Sequence, residues 1–421
     1  MGVLGGLGVL GCLSSIIKPM LRRIRRLIPN SFVNYGKHLP AAVLANLRYG
    51  FPGRKIKVIG VSGTDGKTTT VNMLYKILKD AGKKVSMIST INAEIAGKTF
   101  DTGFHVTSPD RADVQKFLRQ AVKTGDEFMI LEVTSHGLAQ FRAWGIPFEI
   151  GVITNITHEH LDYHGSYDNY LNAKSLLIKN ARCVVLNQDD ASFEKLRGKT
   201  SGRIFTYGLK KNSDLNPQNF PLKLKLPGEY NLYNAEAAAL VGKILGIDKG
   251  VIKRSLENFT SLIGRMEKIK NNRGIKVVVD FAHTPNALEN ALKALRPQTS
   301  GRLISVFGCA GARDIGKRPM MGEISAKLAD ITVLTDEDPR FEDRGEIIDQ
   351  ITKAALKNGA VEGKTLFRQP DRAKAIKMAI YLAKKGDTVG IFGKGHEKSM
   401  NYRGVEKPWS DQKSALKALS S

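Results

Sequence analysis

The residues most suited to chemistry begin at position 63, where Gly63, Thr64, Asp65, Gly66, Lys67, Thr68 and Thr69 follow one another. Before them, KIKVIGVSG (55–63) is an apolar, β-branched run of the kind a buried parallel strand needs. After them, Val71, Met73, Leu74, Ile77 and Leu78 recur at helical spacing. Strand, glycine turn, Lys-Thr and helix together make a phosphate cradle. Backbone N–H groups at the helix start face the anion, Lys67 reaches the outer phosphates, and the Thr68 hydroxyl is placed to ligate Mg²⁺. The strict GxxxxGK[ST] spacing is not met, since position 61 is Val and the nearer glycines are Gly60 and Gly63. A strand-ending turn that binds no nucleotide is the competing reading, and the sequence does not say whether Asp65 faces the phosphates.

Two further strands deliver acids and imidazoles at their C-terminal ends, where α/β sheets bind ligands. EFMILEVTSHG presents Glu132, and VITNITHEHLDYH presents Asn155, His158, Glu159, His160 and Asp162. A carboxylate with a neutral imidazole suits Mg²⁺ held between anionic oxygens. His160 taken alone would be a satisfied structural histidine; its acidic neighbours favour ligation.

Around these residues the chain has the size and composition of a folded α/β protein. Its 421 residues suggest two or three domains, and 42% hydrophobic and 25% charged residues exclude disordered and multispanning classes. Cys12, Cys183 and Cys309 form no CxxC pair and no even framework, which fits a reducing compartment and speaks against structural zinc. The net charge of +25 admits nucleic acid, an anionic membrane surface or phosphorylated substrates. No zinc-finger or RRM signature is present, so no nucleic-acid partner is expected.

The N-terminal stretch reads differently from the rest. Met1 to Ile17 carry no charge and are shorter than the roughly 20 residues a spanning helix needs. Their positive charges follow the apolar run, unlike a secretory signal. In KPMLRRIRRLIPNS, Met20, Leu21, Ile24, Leu27 and Ile28 share one helical face, with Arg22, Arg23, Arg25 and Arg26 around it. Residues 18–30 therefore read as a peripheral membrane contact, or as a helix covering the main body.

GVSGTDGKTTT, EVTSHGLAQFR, TNITHEHLDYHGSYDNYLNAKSLL, GEYNLYNAEAA, GRMEKI, DFAHTPNAL, GCAGARDIGKRPMMG, DEDPR and GKGHE occur in this order. In that order and wording the chain resembles the Mur ligases, on the branch that adds the third residue of the peptidoglycan stem peptide. The resemblance covers about residues 55–415. It implies a central ATP-binding domain with a parallel-rich sheet (54–262) and a C-terminal Rossmann-like, amino-acid-binding domain (263–421). The active site would lie between them, with Lys67, Glu132, His160 and Lys174 as its catalytic set.

By the same resemblance Lys174, which composition alone would place on a solvated helix face, is a carbamylated residue. With Thr68, Glu132 and His160 it would hold Mg²⁺. Asn234, Arg265, Asp280, His283 and Arg372 resemble nucleotide contacts, Arg372 near the ribose. Thr107, Ser108, Thr134, Gln140 and Arg142 resemble the muramoyl-peptide grip. Arg313, Lys317 and Arg318 lie in a glycine-rich loop suited to phosphate or carboxylate. Glu337, Asp338, Arg340, Gly395 and Glu397 would meet the incoming amino acid. Glu337 and Asp338 stand where the family usually has Asp and Asn. Arg340 suits a distal carboxylate and the added acid a cation, so diaminopimelate satisfies both, with lysine as runner-up; Glu397 would accept the distal ammonium.

The expected activity is ATP-dependent amide-bond formation through an acyl-phosphate in the cytoplasm, at or near the membrane's inner face, by a monomer. Only about fifty residues precede the phosphate loop, whereas the resemblance implies a uridine-gripping domain of about a hundred. Residues 1–53 are thus expected as a short apolar and basic segment in its place. The acceptor's carrier stays open between nucleotide and lipid. A folylpolyglutamate-synthetase-like ligase, a membrane scaffold without ligation and a nucleic-acid-stimulated NTPase are the other readings.

Overall fold

The computed structural model describes residues 30–100, 109–157, 159–210 and 212–420. Among these, the chain forms two large sheets and a hairpin, with helices on both faces. The expected membrane-contact segment 18–29 lies outside the described residues. So do Thr107, Ser108 and His158.

The chain enters through helical turns Asn30–Val33 and Asn34–His38 and helix α1 (Leu39–Tyr49), which ends on the left-handed Gly50. Ala42, Ala45 and Asn46 are its buried residues. Asn46 reaches across to the Trp144 carbonyl at 2.9 Å, which ties the entry segment to the turn before Phe148.

The first sheet runs β4-β3-β2-β5-β1-β6-β7-β8. Its strands are β1 (Lys57–Ser62), β2 (Val85–Ile88), β3 (Ala93–Ile95), β4 (Lys98–Phe100), β5 (Phe128–Glu132), β6 (Phe148–Ile153), β7 (Cys183–Asn187) and β8 (Arg203–Tyr207). Only the β2–β3–β4 edge is antiparallel; every other pair is parallel. In β1 every residue after Lys57 is buried, as a strand covered on both faces requires. Gly60 turns out to be a packing glycine, because a Cβ there would stand 2.5 Å from the Leu177 side chain.

Helices α2 (Lys67–Asp80), α3 (Arg111–Lys123), α4 (Tyr167–Ser175), α5 (Glu229–Ile244) and α6 (Lys249–Glu257) cover this sheet. Leu74 of α2 is fully buried in the core between α2, β1 and α5. Truncating it to Ala would cost about 2–5 kcal/mol.

After Gly264 comes β9 (Glu267–Ile269), then β10 (Lys276–Asp280), β11 (Leu303–Phe307), β12 (Ile331–Leu334), β13 (Leu366–Arg368) and β14 (Thr388–Phe392). The order is β13-β12-β11-β14-β10-β9, parallel except at the β9 edge. Helices α7 (Pro285–Leu295), α8 (Lys317–Leu328), α9 (Arg344–Lys357), α10 (Arg372–Leu382) and α11 (Asp411–Leu419) flank it, and β15 (Ser399–Tyr402) pairs with β16 (Val405–Pro408) as a hairpin. The expected α/β class, with a parallel-rich phosphate-loop sheet and a Rossmann-like second sheet, is what the chain adopts. The carboxyl ends of β1, β5 and β6 and of β10, β11 and β12 open onto one cleft.

Candidate active site

The cleft has a volume of about 430 Å³ and is lined from both sheets. On the first wall, Gly66 (φ 83°) is the N-cap of α2, a left-handed position that suits glycine, and no side chain caps the helix there. A Cβ at Gly66 would stand 2.2 Å from Asn234 Oδ1. The first-turn N–H groups of α2 thus stay available to an anion. Lys67 donates to the Thr64 carbonyl at 2.7 Å. Burial lowers its pKa, against the pull of Glu132 and Asp65.

Glu132 is 3% exposed at the end of β5. Its Oε1 accepts from Thr68 (3.0 Å) and Thr90 (2.6 Å), and its Oε2 from the Thr90 amide (2.8 Å). Arg265 crosses from the second wall to donate to Thr68 Oγ1 at 3.2 Å.

Lys174 is 2% exposed. Its Nζ donates to the Gly63 carbonyl at 2.6 Å and lies 4.6 Å from the Tyr170 ring centroid. Among the described residues it has no carboxylate partner. Burial, reinforced by the Lys67 charge, pushes its pKa well below the usual lysine range. Tyr170 meets the Thr64 hydroxyl at 3.1 Å, joining α4 to the phosphate loop.

His160 has a left-handed backbone (φ 57°), and its ring meets His136 edge-on at 4.7 Å. Burial lowers all three nearby histidines: His136 to about 3, His164 to about 4, and His160 further. They are neutral imidazoles, suited to ligation and hydrogen bonding rather than to charge.

Asp65 answers the question the sequence left open. Its backbone is held by Asn155 and Thr154, the latter at 2.6 Å. Its carboxylate turns to the second wall, accepting from Thr284 (3.3 Å) and Asn286 (2.7 Å) at the start of α7. Within the second wall Gly395 (φ 51°) packs closely on the start of that unit, where a Cβ would strike the Gly264 carbonyl at 2.8 Å. Asp280 fixes the backbone beside it by accepting from the Met266 and Ala282 amides (2.6 and 2.9 Å). His283 donates Nδ1–H to the Phe281 carbonyl at 3.0 Å, since a carbonyl can only accept; this leaves its Nε2 as an acceptor.

On the second wall Lys317 is 2% exposed and donates to the His283 carbonyl at 2.8 Å. Glu159 and Glu337 raise its pKa against burial. Burial lifts Glu159 to about 7, partly opposed by Lys317. Glu159 Oε2 and Glu337 Oε2 are buried without a hydrogen-bond partner. Lys394, fully buried, pairs with Asp338 (3.0 Å) and Glu397 (2.5 Å). Arg340 (φ 56°) holds the loop through its amide to the Asn401 carbonyl at 3.0 Å. Thr134, Asn234, Arg313, Arg340 and Glu397 all line the cleft with the residues above.

Two expectations are corrected. Arg372 does not reach the cleft: it is fully enclosed, pairs with Asp411 at 2.7 Å and donates to the Asp336 and Phe392 carbonyls. It anchors the ends of β12 and β14 instead of a ribose. Arg318 is likewise internal, pairing with Glu342 at 2.7 Å. Gln140 and Arg142, expected in the muramoyl-peptide grip, are joined by a hydrogen bond from Arg142 Nη2 to Gln140 Oε1 at 2.9 Å. The reading also passed over residues the structure brings in. Thr90 lies outside the quoted motifs, and Asn286 sits within DFAHTPNAL without an assigned role. Glu159 was visible at its strand end but had been read only as a neighbour of His160.

No cluster of three or more His, Cys, Asp or Glu able to hold a metal occurs among the described residues. A cation beside Thr68 and Glu132 would take most of its ligands from phosphate and water, which is how Mg²⁺ is usually bound. The donor set fits that ion.

Residues 61–242 match the Mur ligase middle domain, and residues 264–395 the Mur ligase, glutamate ligase domain. The UDP-N-acetylmuramoyl-L-alanyl-D-glutamate–2,6-diaminopimelate ligase of Clostridium botulinum is 39% identical over 378 residues, covering 85% of this chain and 76% of its own. A solved structure of a ligase of that name superposes with a TM-score of 0.57 at 30% identity, over 87% of this chain and 78% of the other. The folylpolyglutamate synthase of Mycobacterium tuberculosis, solved with ADP and AMPPCP, shares the fold at a TM-score of 0.68 but only 17% identity, over 84% and 92% of the two chains. The chain belongs to the Mur ligase family, on the branch of the third-residue-adding ligases.

Proposed function

We propose that the chain joins diaminopimelate to the terminal carboxylate of a UDP-N-acetylmuramoyl-dipeptide, using ATP and passing through an acyl-phosphate. Lysine is the runner-up amino acid. One observation supports this above the others: a phosphate loop with the half-buried Lys67 and the buried Lys174 faces, across one cleft, a wall carrying Arg340 and Glu337, whose Oε2 has no hydrogen-bond partner. A nucleotide-binding wall and an amino-acid wall in contact are what a ligase requires.

Lys67 and the α2 N-terminus hold the outer phosphates, while Asn234, Arg265, Asp280 and His283 border the nucleotide. Thr68, Glu132 and His160 would hold Mg²⁺, which when bound neutralises developing charge on the transferring phosphoryl group. The neutral amine of Lys174 reacts with CO₂ to form a carbamate and a proton, converting a buried neutral group into an anion beside the loop. The acceptor carboxylate attacks the γ-phosphorus in line, giving acyl-phosphate and ADP. The amino acid's ammonium loses its proton to Glu159, whose Oε2 has no other partner. The amine attacks the acyl carbon, and the tetrahedral intermediate collapses to amide and phosphate. Asp338 and Glu397 already serve Lys394, so Glu337 is left to receive the distal ammonium and Arg340 the distal carboxylate. Arg313 and Lys317 border the reacting groups, and Thr134 the acceptor.

We place the unit boundaries at 53/54 and 262/263. A lipid-linked acceptor has its own support. The first 64 residues hold ten lysines and arginines and no acid. Phe32, Leu44 and Leu47 are 76%, 66% and 60% exposed on the entry helices. Both features suit the anionic inner face of a membrane. No helix among the described residues is long and apolar enough to cross one.

The test is phosphate release with ATP, muramoyl-dipeptide and each amino acid in turn. Release that requires both acceptor and diaminopimelate is expected; release indifferent to both overturns the reading.

A further inference from the structure

Arg340 is gripped at its backbone and free at its tip. It lines the cleft, and among the described residues its guanidinium makes no hydrogen bond or ion pair. Its backbone is left-handed (φ 56°), a conformation that a non-glycine residue keeps where its surroundings impose it. The β15–β16 hairpin imposes it. The Arg340 amide donates to the Asn401 carbonyl at 3.0 Å, and the Arg403 amide donates to the Arg340 carbonyl at 2.5 Å. Arg340 and Tyr402 are thereby paired as a single parallel rung.

The hairpin is braced in turn. The Asn401 amide donates to Asp338 Oδ1 at 2.9 Å, and Asn401 Oδ1 closes the turn by accepting from the Gly404 amide at 3.0 Å. The Tyr402 hydroxyl donates to Asp336 Oδ2 at 3.3 Å, an acid already paired with Arg344 at 2.6 Å. Arg403 (φ 51°) and Gly404 (φ 84°) are both left-handed. A Cβ at Gly404 would stand 2.9 Å from the ring of Phe341, the residue after Arg340. All four residues of β16 are exposed, whereas Met400 of β15 is buried. The hairpin therefore hangs on the domain by one strand, and its turn is turned to the Arg340 loop.

We propose that this hairpin sets the choice of amino acid, with Arg403 as its positioning residue. Holding both polar groups of the Arg340 backbone fixes where the guanidinium is carried, which favours an amino acid with a second carboxylate over one that ends in an ammonium alone. This rests on the ligase reading given above, which sets Arg340 against the distal carboxylate. A mobile arginine also pairs with a carboxylate, yet it must be ordered at each binding event; a clamped one is ordered beforehand. No residue of the hairpin lines the cleft, so its effect falls on binding of the dicarboxylate amino acid and not on phosphoryl transfer.

Two changes at Arg403, whose side chain is exposed, separate the clamp from the side chain. R403P removes the amide that holds the Arg340 carbonyl and cannot adopt a left-handed turn. R403G keeps that amide and adopts the turn readily. R403P should raise KM for diaminopimelate about 10- to 100-fold, the usual worth of hydrogen bonds to a charged group, with kcat and KM for ATP retained. R403G should match the native protein. Lysine has no distal carboxylate, so its KM should not move in R403P. In R340M the guanidinium is gone, and adding R403P should raise KM for diaminopimelate no further; a hairpin acting through stability alone would add its effect to that of R340M. Equal rises for diaminopimelate and lysine, additive losses in the double variant, or an unchanged R403P overturn the proposal. So does a native protein that ligates lysine but not diaminopimelate. If the native protein ligates neither, the ligase reading falls, and calorimetric titration with diaminopimelate, R403P against R403G, still judges the clamp.

Discussion

The two walls of the cleft treat charge in opposite ways. On the phosphate-loop wall, Lys174 is buried with only a carbonyl and an aromatic ring for company. Lys67 beside it likewise donates to a carbonyl. On the other wall most buried cations are already paired, Lys394 with Asp338 and Glu397, Arg372 with Asp411 and Arg318 with Glu342, while Lys317 donates to the His283 carbonyl. At the seam two acid oxygens are left over, Glu159 Oε2 from the first wall and Glu337 Oε2 from the second. An unpaired buried charge is costly. The first wall is thus built to be completed by anions, phosphate and a lysine carbamate. The second is a finished frame that receives a cationic substrate. Binding and folding are therefore separable on one wall and entangled on the other.

The sharpest break in that comparison comes from the finished frame. Lys394→Met removes the buried cation that pairs with Asp338 and Glu397 and should cost about 3–5 kcal/mol of stability, read as a lowered denaturation midpoint. Lys174→Ala, by contrast, should leave the midpoint unchanged or raised. Its turnover should fall about 10²–10³-fold, the loss typical of removing one group that stabilises developing charge. Intact-mass analysis should find one CO₂ on the native chain and none on the variant. Thr90→Ala loosens Glu132 without touching substrate, so it should raise the Mg²⁺ requirement about 10-fold, measured by metal titration of turnover. Asn286→Ala removes one hydrogen bond from Asp65 to the second wall. About 1.5–3 kcal/mol is the usual worth of a bond to a charged group, so solution scattering should show a more open chain without nucleotide, with most of the turnover retained.

How much of this was legible in the sequence follows the same division. The phosphate loop was readable because strand, turn and helix are contiguous, and their residue types carry the chemistry locally. Lys174 was not readable from its helix, because its burial comes from α4 docking on the Gly63 turn, 111 residues back. The resemblance pointed to it, and packing gives the reason. Arg372 was misread because a buried structural arginine and a ligand arginine look alike in sequence; its partner Asp411 is 39 residues away. The role assigned to Glu397 changes for a similar cause, since its pairing with Lys394 becomes visible only when the glycine-rich turn is folded. Gly60, one of the two glycines nearest the unmet motif position, is explained by Leu177 and Phe148 behind it.

The account's central claim is that the first wall activates a carboxylate for the second to consume. Labelling the acceptor carboxylate with ¹⁸O tests it most directly. One labelled oxygen should appear in the released inorganic phosphate for each amide formed, because the acyl-phosphate passes its bridging oxygen to phosphate on collapse. Amide formation with unlabelled phosphate would contradict the acyl-phosphate route and, with it, the division of labour between the walls.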